Sequence, residues 1–183
     1  HSVLTGLIDD SHEAIESTIL TLQMKSSFTP TVNTSASYTL EFDNALYNPH
    51  DEHNKSAGGI LSSTSFSIND ASAVSRSAYF DDDGNGNLRI YYLSGGARTY
   101  INSAAGTVAY LTGKVTVSNF NPTAVANTDN TITITVKPNS VNLVPVRNQI
   151  VEILDADISV TVSEDTAAST GSTTDYGTSA TGY

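Results

Sequence analysis

The chain has 183 residues, 38% of them hydrophobic, and carries 19 acidic against 8 basic side chains for a formal charge of −11. That length suits one domain or two small ones around a real core, and basic residues scattered from Lys25 to Arg147 make no patch that would neutralise a phosphate backbone, which argues against nucleic acid as a partner. The absence of Cys excludes disulfides and thiolate metal sites, and no apolar run approaches the ~20 residues that cross a membrane. With His1 where an initiator Met would stand, the chain is expected to be a piece of something longer.

The first element is a helix. Asp10-Ser11-His12-Glu13 has the form of a capping box, an acceptor side chain followed three residues later by Glu. Ile15, Ile19 and Leu22 recur at helical spacing, with Met24 continuing the stripe until Ser26-Ser27, and Pro30 closes the segment. A helix this short is marginal alone, so the stripe of Ile15, Ile19 and Leu22 is expected at an interface with a sheet or another chain.

Beyond residue 30 the period changes to that of strands. Residues 38–42 alternate, 44–59 form a polar loop with Pro49 and Gly58-Gly59, and 61–68 hold one short strand. A meander follows, with strands at 75–80, 88–93, 98–101, 108–110 and 114–117. Gly95-Gly96, Ala104-Ala105-Gly106 and Thr112-Gly113 are its expected turns. Residues 131–136 alternate strictly, placing Ile132, Ile134 and Val136 on one face, and strands at 149–154 and 158–162 complete the series. The tail, 163–183, is made of Ser, Thr, Gly, Ala and Asp with two tyrosines, and is expected to order only against another chain. Arg147, Tyr176 and Tyr183 are the expected anchors toward partners. The expected fold is mainly β (α+β). It comprises a helix segment over 1–29, a β-rich domain over 30–162 and the tail, with a possible subdivision of the β domain near 70–78 or 121–130. In architecture it is an antiparallel β-sandwich or two small packed β-sheets, with one N-terminal amphipathic helix and an extended C-terminal tail.

Chemistry is sparse. In FDDDGNGNLRIYYL, Asp81, Asp83, Asn85, Gly86 and Leu88 match the opening of an EF-hand loop, but Tyr92 stands where the bidentate Glu belongs and strands flank it instead of helices. Asp-Gly and Asn-Gly are also the dipeptides of tight hairpin turns, and a hairpin is the expectation. In Pro49-His50-Asp51-Glu52-His53 two imidazoles three apart, with carboxylates between, could hold a metal as in a hydrolase; a polar surface loop is the plainer reading. Tyr79, Tyr91, Tyr92, Tyr100 and Tyr110 read as cross-strand packing. No nucleophile elbow, phosphate loop or His-Glu-x-x-His is present. No enzyme, metal, cofactor or small-molecule substrate is expected.

The stretches YFDDDGNGNLRIYYL, RTYINSAAGTVAYLTGKVTVSNF and KPNSVNLVPVRNQIVEI, with YTLEFDNALYNPH and GGILSSTSF before them, resemble the C-terminal part of the baseplate wedge protein of T-even-type contractile-tailed bacteriophages, related to the baseplate J family. The resemblance covers roughly residues 1–163. Its most specific part is the unit from Gly106 to Lys114, followed by Pro138-x-Ser140 and Pro145-x-Arg147-Asn148-Gln149. It implies a virion component, assembled in the host cytoplasm, that pairs with a second copy of itself, binds other wedge proteins, links neighbouring wedges and moves on sheath contraction. The larger N-terminal part of that family's protein has no counterpart here, and the Ser/Thr-rich tail is not explained by the resemblance. The alternative from composition is a secreted or surface adhesin-like β-sandwich that binds calcium or glycan.

Overall fold

The computed structural model describes residues 6–7, 10–11, 21–51 and 59–140. Ten strands run in chain order: β1 (Met24–Phe28), β2 (Ala36–Glu41), β3 (Leu61–Ser63), β4 (Phe66–Asn69), β5 (Ser75–Asp82), β6 (Asn87–Ser94), β7 (Ala97–Ala109), β8 (Lys114–Phe120), β9 (Ala124–Val125) and β10 (Ile132–Val136). They form a seven-stranded sheet of order β2-β8-β7-β6-β5-β4-β9 and a three-stranded sheet of order β1-β10-β3, every pair antiparallel. The expectation of a mainly β chain holds, although the two sheets are unequal.

Alternation decides which face each strand buries. Ile132, Ile134 and Val136 are fully buried while Thr133 and Thr135 between them stay half-buried. Ala78 and Phe80 of β5, Leu88 and Ile90 of β6, and Val115 and Val117 of β8 join them in one hydrophobic cluster. Aromatic rings tie the sheets together. Phe120 meets Phe66 at 4.9 Å and Phe80 at 5.1 Å within the large sheet, and Phe28 of the small sheet at 6.3 Å.

The described part of the N-terminal segment corrects the sequence reading at its end. Met24, placed on the helical stripe, opens strand β1 and faces Val136. The physical reason is visible in the burial, which alternates from Leu22 through Phe28 with the period of a strand. Ile15 and Ile19, and with them the body of the expected helix, lie outside the described residues; Asp10 and Ser11 lie in a turn.

Three further corrections concern residues 61–110. Residues 61–68 hold two strands, not one, and they belong to different sheets. The chain crosses at Thr64, whose backbone N–H donates to the Thr133 carbonyl at 3.0 Å and whose Oγ1 accepts from the Thr133 N–H at 3.0 Å. Ala104-Ala105-Gly106 is no turn, because β7 runs unbroken through it. The glycine serves close approach instead, since a Cβ on Gly106 would run into the Thr116 carbonyl of β8. The local irregularity appears as register shifts against β6 near Ile90. Tyr110, finally, lies one residue past the end of β7, in the turn to β8. The Gly95-Gly96 and Thr112-Gly113 turns form as expected. The strands expected at 149–154 and 158–162, and the tail, lie outside the described residues.

Candidate interaction face

The β5–β6 hairpin turns at residues 83–86, with Gly84 and Gly86 at φ 78° and 92°, a conformation that side-chain-bearing residues rarely adopt. Its register sets Phe80 opposite Ile90, Asp81 opposite Arg89, and Tyr79 opposite Tyr91. Because Phe80 and Ile90 enter the core, Tyr79, Asp81, Arg89 and Tyr91 must point to the other face of the sheet. Strand β7 adds Tyr100 opposite Tyr91 and Arg98 opposite Leu93.

These side chains form one cluster. The Tyr79 and Tyr91 rings meet with their centres 5.7 Å apart and those of Tyr91 and Tyr100 6.1 Å apart, both pairs tilted, so the cross-strand reading of these three tyrosines holds. The Arg98 guanidinium sits 4.6 Å from the Tyr91 ring centre and that of Arg89 4.4 Å from Tyr100. Asp81 is the hub. It accepts two bonds from Arg89, at 2.8 and 3.1 Å, one from Arg98 at 3.0 Å and one from the Tyr100 hydroxyl at 3.1 Å. Arg89 also donates to the Asp82 carbonyl at 2.7 Å. Asp81 is 1% exposed and Arg89 6%. Burial pushes the Asp81 carboxyl above the usual range; the bonds and charge of Arg89, then Tyr100 and Arg98, offset only part of that push.

Asp82 points the opposite way and is fully buried. It accepts the Tyr110 hydroxyl at 2.6 Å and the Leu61 N–H at 3.0 Å, binding the large sheet to the small one. Burial, then the Asp82 bond, drives the Tyr110 phenol far above its ordinary pKa.

Asp83 does a third job. Its Oδ1 accepts the backbone N–H groups of Asn85 and Asn87 at 2.8 and 3.0 Å, and its Oδ2 accepts the Asn87 amide at 2.6 Å. The three neighbouring aspartates therefore serve three separate partner sets, and the EF-hand ligand set suggested by Asp81, Asp83 and Asn85 does not converge. Burial raises the Asp83 pKa, but the bonds from Asn87 and Asn85 outweigh it and hold the carboxyl below its ordinary 3.8. A depressed carboxylate contributes stability that is fully present above its unfolded pKa and is lost as pH falls through the folded value. Protection of the Asn85 and Asn87 amides against hydrogen exchange is therefore expected to persist at pH 4 and to fade below it; protection that fades well above pH 4 would contradict this.

Of the residues singled out from sequence, Leu22 is half-buried just before β1. Ile15, Ile19, Arg147, Tyr176 and Tyr183 lie outside the described residues, as do Glu52 and His53. His50 is exposed, its Nδ1 3.0 Å from the Asp51 carbonyl oxygen. Among the described residues no three His, Cys, Asp or Glu side chains gather closely enough to hold a metal ion, and no helix is long and apolar enough to cross a membrane. The Asp81 hub escaped the sequence reading, though a signal was present: in a hairpin turning about Asn85, positions equidistant from it face each other. No protein-family model matches the chain, and neither does a curated protein or a solved structure.

Proposed function

We propose that this chain is a structural, non-catalytic subunit of a contractile phage tail baseplate, acting through protein–protein interfaces. In this reading the two sheets make an unequal β-sandwich. Its Tyr79–Tyr91–Tyr100 face pairs with a second copy, and other surfaces join it to other wedge proteins and to neighbouring wedges in the virion. The observation that carries the reading is the composition and rigidity of that face. Tyrosine and arginine are the residues enriched at interface hot spots, and here Asp81 holds them in place before any partner arrives, which reduces the ordering cost of association. Leu93, 55% exposed, stands opposite Arg98 at its margin. The resemblance of residues 79–93, 98–120 and 137–153 to the wedge protein supplies the assembly.

Sedimentation velocity tests this. Wild-type chain is expected to pass from monomer to dimer as its concentration rises, whereas Leu93→Asp stays monomeric with an unchanged Tm, because the position is exposed. Thr39→Asp, an exposed position on the edge strand β2, serves as control and is expected to dimerise like wild type. A wild type that stays monomeric throughout, or a Leu93→Asp that dimerises normally, would count against the reading.

A second reading draws on the same side chains. Tyrosine rings with Arg98 and nearby hydroxyls also suit a sugar ring, as in a surface adhesin-like module, and a glycan that shifts Tyr91 and Arg98 resonances in a monomeric chain would favour it.

A further inference from the structure

An asparagine carries a route to its own conversion, because the backbone nitrogen of the next residue can close a succinimide ring on its side-chain amide carbon. The side chain of that next residue hinders the closure, and glycine has none. The sequence contains a single Asn-Gly pair, Asn85-Gly86. The fold sets it in the turn of the β5–β6 hairpin, with Asn85 exposed and Gly86 at φ 92°. Hydrogen bonds pin the turn around the pair. The Gly86 carbonyl accepts the Val108 N–H at 2.8 Å, and the Asp83 N–H donates to the Asn87 carbonyl at 3.2 Å. The Asp83 carboxylate caps the backbone N–H groups of Asn85 and Asn87.

We propose that Asn85 is a site of spontaneous modification, deamidating slowly through a succinimide without any enzyme. The Gly86 nitrogen bonds to Cγ of Asn85 as the Cγ–Nδ2 bond breaks, and the amide nitrogen leaves as ammonia with the proton that Gly86 gives up. Water then adds to either ring carbonyl. One opening leaves aspartate; the other leaves isoaspartate, in which the main chain runs through the side-chain carbons. Nothing is oxidised or reduced, and water is the sole co-reactant. The neighbouring Asp83-Gly84 pair does not compete, because its ionised carboxylate accepts three hydrogen bonds and is a poor electrophile. Asn44, Asn102 and Asn139 precede alanine or serine, whose side chains hinder the ring. Asn102 also commits its side-chain oxygen to the Ala104 N–H at 2.9 Å. At Asn85 the pinning bonds make the rate depend on local opening of the turn, since the Gly86 nitrogen must swing toward the side chain. Each product sets a second carboxylate near Asp83, and isoaspartate also lengthens the main chain, so the Asp83 cap is weakened. The inference does not depend on how the Tyr–Arg face is used.

The test is prolonged incubation of the full chain in mildly alkaline buffer made with ¹⁸O water, followed by tryptic mapping in ordinary water. Cleavage after Arg76 and Arg89 isolates residues 77–89, and fragmentation separates Asn85 from Asn87. The expected result is conversion at Asn85 with a heavy oxygen incorporated, isoaspartate among the products, and the Asn87 amide retained. Asp83→Ala, which removes the cap, is expected to convert several-fold faster than wild type. In urea, where the turn is open in both, the two chains are expected to convert at the same rate. Retention of the Asn85 amide through an incubation that converts the urea-unfolded chain would overturn the proposal. So would equal conversion at Asn87 or Asn102, aspartate without isoaspartate, or a folded Asp83→Ala no faster than wild type.

Discussion

Asp81→Ala is expected to lower the free energy of unfolding by about 3–5 kcal/mol, because it removes the buried carboxylate that accepts two hydrogen bonds from the buried Arg89 guanidinium and one each from Arg98 and Tyr100. The loss comes from a buried guanidinium deprived of its bidentate acceptor more than from any net worth of the pair. Arg89 would keep its bond to the Asp82 carbonyl, and Arg98, 31% exposed in its side chain, can turn to solvent, but the bidentate partner of Arg89 is gone. If that is right, removing both charges should hurt less than removing one. Asp81→Leu combined with Arg89→Met is expected to recover much of the loss, since a buried pair replaced by apolar residues of similar volume is often neutral. Urea unfolding of Asp81→Leu, Arg89→Met and the double variant measures this as a coupling energy. A single substitution costing under about 1 kcal/mol, or a double costing as much as both singles added, would contradict it.

Phe120→Ala should have an effect of comparable size for a different reason. Its ring touches Phe66 and Phe80 of the large sheet, Phe28 of the small sheet and Tyr38 of the edge strand β2, and it is 1% exposed. Truncation removes contacts to both sheets and leaves a cavity that neither can close without moving the other. Phe→Ala changes in such places cost about 3–5 kcal/mol. For a unit of this size that corresponds to a fall in Tm of roughly 10 °C, read by calorimetry. Phe120→Leu, which refills most of the space, is expected to lose less than half as much. An alanine variant that melts within about 2 °C of wild type would show that the sheets are not joined through this ring.

What the sequence revealed and what it concealed follow from the range of the interactions involved. The β5–β6 hairpin was legible because Asp-Gly and Asn-Gly demand positive φ locally, at Gly84 and Gly86. β10 was legible because Ile132, Ile134 and Val136 alternate with threonines and all three are buried. The misreadings share one cause, a local signal with two meanings. Leu22 and Met24 stand two apart, which is the spacing of one strand face, yet Ile15, Ile19 and Leu22 before them gave a helical period. Gly106 looked like a turn residue because glycine marks turns and close strand contacts alike, and only the Thr116 carbonyl across the sheet distinguishes them. The split of residues 61–68 between two sheets depends on Thr133, far along the chain. The candidate face was half legible. Its tyrosines were read as cross-strand packing, but Asp81 was weighed as a turn ligand. The hairpin register that sets Arg89 opposite it was within reach of the sequence, whereas Arg98 reaches it only once β7 joins the sheet.

Association through the face formed by Tyr79, Tyr91, Leu93 and Tyr100 is the central claim, and radical footprinting of the wild-type chain probes it most directly. Oxidation rates at these four residues are to be compared between dilute and concentrated solution, with Leu111, 91% exposed, as the internal reference. A specific interface buries over ~1,000 Å² in total, enough to cover most of this cluster. The expected result is a fall of several-fold at Leu93 and Tyr91 on concentration, with Leu111 unchanged. Rates that stay constant at all four residues, or protection that appears at Leu111 and not at Leu93, would contradict it.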